Sequence, residues 1–80
     1  MRQRDMLFAQ DQGQQKTLRI RKERLKRGWR LEDLSHFSKV SAADISRIEN
    51  GRLIPYDSYA ERLAAALGLR PEELTEEVEA

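Results

Sequence analysis

The chain has 80 residues, 36% of them charged, with a net charge of +1, no cysteine and a single histidine. That length suits one small domain with a modest core; without cysteines there is no disulfide framework and no thiolate metal site, and His36 alone cannot build a zinc site, so neither a metal nor a cofactor is expected. No apolar run reaches the length of a membrane span and no signal-peptide pattern opens the chain, so the expected location is the cytoplasm, without membrane contact.

Residues 1–16, MRQRDMLFAQDQGQQK, are polar and glutamine-rich, with one apolar cluster at Met6, Leu7 and Phe8. They are expected to form a flexible or extended arm. Its Arg2 and Arg4 are of the type that enters a DNA minor groove. A first helix is predicted over residues 17–27, with Thr17 as its cap, Gly28 as its stop, and Ile20 and Leu25 on its apolar side. Trp29 follows and is assigned to the core.

The stretch LEDLSHFSKVSAADISRIENG, residues 31–51, predicts two short helices with a tight turn between them. The first covers residues 31–38 and packs Leu34 and Phe37 inward; Val40 lies in the turn. The second covers residues 42–50, is capped by Ser41 and ends at Gly51. Ile45 and Ile48, three residues apart, form its apolar side. Ala42, Ala43, Ser46, Arg47 and Asn50 share the opposite face, which is small and polar with one arginine near its centre. A fourth helix is predicted over residues 57–67, with Asp57 as its cap and Leu63 and Leu67 on its inner face. Gly68 ends it. Pro71 then opens a fifth helix over residues 71–77, because proline suits a first helical position. Residues 78–80 are a tail. No internal repeat and no hairpin signal appear. The expected fold is therefore all-α and five-helical, with a globular part over residues 17–77. Its core is Ile20, Leu25, Trp29, Leu34, Phe37, Val40, Ile45, Ile48, Leu63 and Leu67.

The small net charge hides a polarity. Residues 1–40 carry eleven Lys/Arg against five Asp/Glu, a balance of +6; residues 41–80 carry four against nine, a balance of −5. Such asymmetry suggests one side that faces a polyanion.

The helix pair resembles the helix-turn-helix of phage-repressor-like DNA-binding proteins, the Cro/CI or Xre type. The resemblance spans Ile20 to Leu74, and its most specific part is ISRIENG, Ile45 to Gly51. Arg24 four residues before Gly28, the apolar Trp29 and Pro55 after the helix-ending glycine fit the same pattern. The resemblance implies a compact lambda-repressor-like domain. It also implies a buried ion pair between Arg24 and Glu49 that ties the first helix to the recognition helix. Two positions depart from the family: Leu31 stands where a phosphate-binding glutamine is usual, and Lys39 where the turn has glycine. A lysine in left-handed backbone there costs roughly 1 kcal/mol relative to glycine.

The function this implies is sequence-specific binding of double-stranded DNA by a small transcriptional regulator. Residues 42–50 enter the major groove, the groove that distinguishes all base pairs. The expected base contacts are Ala42 and Ala43 to thymine methyls, Ser46, and Arg47 in a two-bond contact to guanine. The expected phosphate contacts are Arg30, Leu31 through its backbone N–H, Ser41, Asn50 and Arg52. One such domain buries too little surface for high affinity, so a homodimer on half-sites about 34 Å apart, or a multiple of that, is expected. Its surface is placed on the loop before the fourth helix and on Leu69, Leu74 and Val78, with residues 6–8 as the competing surface. The alternative function is a protein-interaction module, such as an antitoxin or a phage-encoded factor binding a host protein. An enzyme is not expected and no catalytic residue is assigned. Glu32 and Asp33 adjoin but point to different faces, and no nucleophile with a base and an orienting group is visible.

Overall fold

The computed structural model describes residues 16–80. Four α-helices and a two-stranded antiparallel ribbon make up the fold. In chain order these are β1 (Lys16–Leu18), α1 (Arg19–Lys26), α2 (Leu31–Ser38), α3 (Ala42–Glu49), α4 (Asp57–Leu67), a single 3-10 turn (Pro71–Glu73) and β2 (Glu77–Glu79). The N-terminal arm, with Arg2, Arg4 and the Met6–Phe8 cluster, lies outside the described residues, apart from Lys16.

The two ends of the described chain differ from the all-α expectation, and they differ together. Thr17 does not cap α1. It lies in β1, opposite Val78, while Lys16 faces Glu79 and Leu18 faces Glu77. The free N–H groups at the start of α1 are satisfied from the C-terminal segment instead: Arg19 N donates to Glu76 O at 2.8 Å and Ile20 N to Leu74 O at 3.0 Å. These bonds use carbonyls of the segment expected to form a fifth helix. After one 3-10 turn the chain straightens into β2, so residues 71–77 are not an α-helix. Leu74 is fully buried. It therefore joins the core and cannot form a dimer surface.

The core is one cluster: Ile20, Leu34, Val40, Ile45, Ile48, Leu63, Ala64, Leu67 and Leu74. Two residues assigned to it are exposed, Leu25 at 51% and Phe37 at 56%. Both are displaced by a polar residue that takes the inward slot. On α1 the buried positions are Ile20 and Arg24, four residues apart and so on one face, which leaves Leu25 turned outward. On α2 the buried pair is Leu34 and Ser38. Ser38 Oγ accepts from Val40 N at 3.2 Å, so a small hydroxyl closes the turn from inside while Phe37 sits at the rim. There it stacks on the half-buried Trp29 with ring centroids 4.7 Å apart. Asp57 is not a cap either; Tyr56 holds that position, and Asp57 adds negative charge to the first turn of α4, where the helix dipole favours it.

Among the described residues no helix is long and apolar enough to cross a membrane.

Candidate nucleic-acid interface

The α2–α3 pair is held from below by apolar packing and from its ends by polar bonds. Lys39 ends α2 in left-handed backbone, φ 64° and ψ 28°. It is the one non-glycine residue with positive φ among the described residues. Its backbone N–H returns to Ser35 O at 2.8 Å, which turns the chain sharply toward α3. Ser41 then caps α3: its Oγ accepts from Asp44 N at 3.1 Å. Gly51, at φ 74°, closes the other end. Its N–H bonds Ile48 O at 3.0 Å and that of Arg52 bonds Arg47 O at 2.8 Å, the paired bonds that finish a helix on a left-handed residue.

Ile45 and Ile48 are buried, which turns the opposite face of α3 outward. Ala43, Arg47 and Asn50 on that face are exposed, and Ala42 and Ser46 are half-buried. The face holds no large side chain other than Arg47, so nothing keeps a flat or convex ligand away from the helix backbone.

Arg24 and Glu49 lock this helix to α1. Arg24 Nε lies 2.7 Å from Glu49 Oε2 and Nη2 lies 2.9 Å from Oε1, a two-pronged pair. Arg24 Nη1 also donates to Trp29 O at 2.9 Å. Both side chains are nearly enclosed, at 9% and 5% exposure. The Glu49 carboxylate holds the Arg24 guanidinium above its usual range, against the opposing effect of burial. A pair this dry, with both oxygens occupied, fixes the end of α3 in orientation as well as in distance.

Arg47 is not free in this structure. Its Nη1 donates to Asp44 Oδ1 at 2.7 Å, while 58% of its side chain stays exposed. Asp44 Oδ2 accepts from Tyr59 Oη at 3.0 Å, so a chain Arg47–Asp44–Tyr59 runs from α3 to α4. The Tyr56 hydroxyl, and after it the Asp44 carboxylate, push the Tyr59 phenol up to about 12. Sequence reasoning missed the bond of Tyr59 to Asp44. The three-residue spacing of Asp44 and Arg47 was a visible signal; the reach of Tyr59 from α4 was not.

The residues expected at phosphates differ in what they still have to offer. Asn50 Nδ2 donates to Ser46 O at 2.8 Å within its own helix. Arg52 is exposed and its side chain has no partner among the described residues. At the start of α2, Asp33 Oδ2 accepts from Arg30 N at 2.8 Å and lies 3.8 Å from Arg30 Nε. The chain's own carboxylate thus occupies part of the helix N-terminus that an anion would use. Leu31 is half-buried against the core, so only its backbone faces outward chemistry.

A family model described as a helix-turn-helix domain matches residues 17–78. The chain belongs to that family. The match takes in both strands of the ribbon, except their outermost residues Lys16 and Glu79, as well as all four helices. It places the α2–α3 pair within a DNA-binding class of domain. Comparison with curated proteins and with solved structures finds no match.

Proposed function

We propose that the protein is a Cro/CI- or Xre-type transcriptional regulator that binds double-stranded DNA in a sequence-specific way, with α3 in the major groove. The observation that carries this reading is the face of Ala42, Ala43, Ser46, Arg47 and Asn50. It is small, polar and outward, on a helix whose end is fixed by the Arg24–Glu49 pair. A reader helix needs that combination, because base contacts are lost if the helix can roll. Arg47 reads guanine through O6 and N7; to do so it exchanges Asp44 for the base, a swap between two solvent-reachable acceptors. Ala42 and Ala43 contact thymine methyls. Arg52, Arg30 and the α2 start contact phosphates, which set register and carry no sequence information.

The protein acts as a cytoplasmic homodimer on two half-sites. The loop Leu53–Tyr56 supplies the dimer contact, since Ile54 is 84% and Tyr56 58% exposed, both large and apolar. The same residues, with Phe37, support the second reading, a protein-interaction module. Salt separates the two: phosphate contacts weaken steeply as salt rises, whereas an apolar interface does not. The test is selection of bound duplexes from a random pool. The proposal predicts one motif with two symmetric halves; recovery of no shared motif would remove it.

A further inference from the structure

A cleft of about 360 Å³ lies beside the end of α3, between Asn50–Gly51 on one side and Lys16, Thr17 and Arg21 on the other, with Glu77 at its edge. Like Arg52, its cations lack the carboxylate partner that six of the nine described arginines have. Arg19, Arg24, Arg27, Arg30, Arg47 and Arg70 each have a carboxylate within ion-pair distance. Lys16 and Arg21 are exposed, and among the described residues neither side chain has a carboxylate or hydrogen-bond partner. The charge of Glu49, which also lines the cleft, is taken up by Arg24. Glu77 is the one lining carboxylate left to oppose an anion there, and Glu79 faces Lys16 across the ribbon.

Asn50 belongs to the outward face of α3, so the cleft opens at the border of that face. One N–H of its side-chain amide is committed to Ser46 O, which leaves its second N–H and the positive groups across the cleft as the available donors. A guanidinium fork fits two oxygens of one phosphodiester, and an ammonium adds charge without fixed direction.

We propose that Lys16 and Arg21 form a phosphodiester-binding seat that clamps the DNA backbone at the edge of the half-site read by α3. The ribbon has a purpose in this arrangement: pairing with β2 fixes the backbone of Lys16, which in a loose arm would have none of the required position. The inference rests on the DNA-binding reading above.

The test compares wild type with Arg21→Gln, Lys16→Gln, the double variant and Glu77→Gln, using the selected duplex and a random duplex. Lys26→Gln serves as a charge-matched control further along α1. Each lost phosphate contact makes log K fall less steeply with log salt by about 0.9, so the affinity lost between about 50 and 200 mM salt shrinks about 3.5-fold per contact. Arg21→Gln and Lys16→Gln should each show this on both duplexes, and Glu77→Gln should strengthen binding on both. Ethylation of one phosphate at the half-site edge should hinder wild type and no longer hinder the double variant. If wild type binds DNA but Arg21→Gln changes nothing, or changes no more than Lys26→Gln, the seat is refuted while the DNA reading stands. If wild type binds no duplex, both fall.

Discussion

Replacing Arg24 by methionine removes two bonds to Glu49 and one to the Trp29 carbonyl, and leaves a carboxylate that is only 5% exposed. Breaking one side of an enclosed ion pair costs about 3–5 kcal/mol, because the surviving charge has lost its partner without regaining water. A domain of this size has roughly 4–12 kcal/mol of total stability, at about 0.05–0.15 kcal/mol per residue. The single change should therefore remove between a quarter and all of it. Glu49→Leu strands the guanidinium in the same way, with the Trp29 carbonyl as partial compensation. The double variant strands neither charge, so it should cost about as much as one single change and not the sum. Urea unfolding followed by far-ultraviolet circular dichroism measures all four corners of the cycle. The expected coupling is therefore about the cost of one single change, about 3 kcal/mol or somewhat more, at the upper end for contacting residues. Singles that each cost below about 1 kcal/mol, or that add within about 0.5 kcal/mol, would refute the view that this pair locks α3 to α1.

Lys39→Gly should raise stability by about 1 kcal/mol, seen as a Tm higher by about 4–8 °C, because φ 64° strains any residue with a Cβ; an unchanged Tm would contradict the strain. Leu74→Ala should cost about 2–5 kcal/mol, and a chain cut after Gly68 should fail to fold rather than yield a folded monomer, as circular dichroism of the two would show. The Tyr59 phenol, raised to about 12 from about 10 in the unfolded chain, favours the folded state below about pH 10. That contribution is lost as pH rises through about 12. Phenolate absorbance should show one late-titrating tyrosine, absent in Tyr59→Phe.

The helix pair was legible because each of its signals is local. Ser41 and Gly51 mark the ends of α3, and the Ile45–Ile48 spacing marks its inner face. The predicted bounds of α2 and α3 match the observed ones to within a residue. The apolar count misled at Leu25 and Phe37, where Arg24 and Ser38 take the inward positions. Arg24 can do so only because Glu49, twenty-five residues on, satisfies it, and Ser38 because its hydroxyl closes the turn. The ribbon was invisible for a different reason. Thr17 pairs with Val78, and three-residue strands that far apart carry neither a periodic pattern nor a turn between them. Local propensity favoured a helix at Pro71, but the N–H groups at the start of α1 needed the Leu74 and Glu76 carbonyls. At the interface, the exposed face of α3 followed from its buried face. The tie of Arg47 to Asp44 follows from their three-residue spacing, whereas that of Asp44 to Tyr59 depended on how α4 crosses.

The central claim is that Arg47 reads a base, and the most direct measurement is the affinity of Arg47→Ala for the selected duplex beside its affinity for a scrambled one. The account predicts a loss of about 1–3 kcal/mol on the selected duplex, relaxed preference at one base pair and little change on the scrambled duplex. An equal loss on both would contradict it: Arg47 would then be a phosphate contact, and specificity would have to come from the small residues of α3 or from DNA shape.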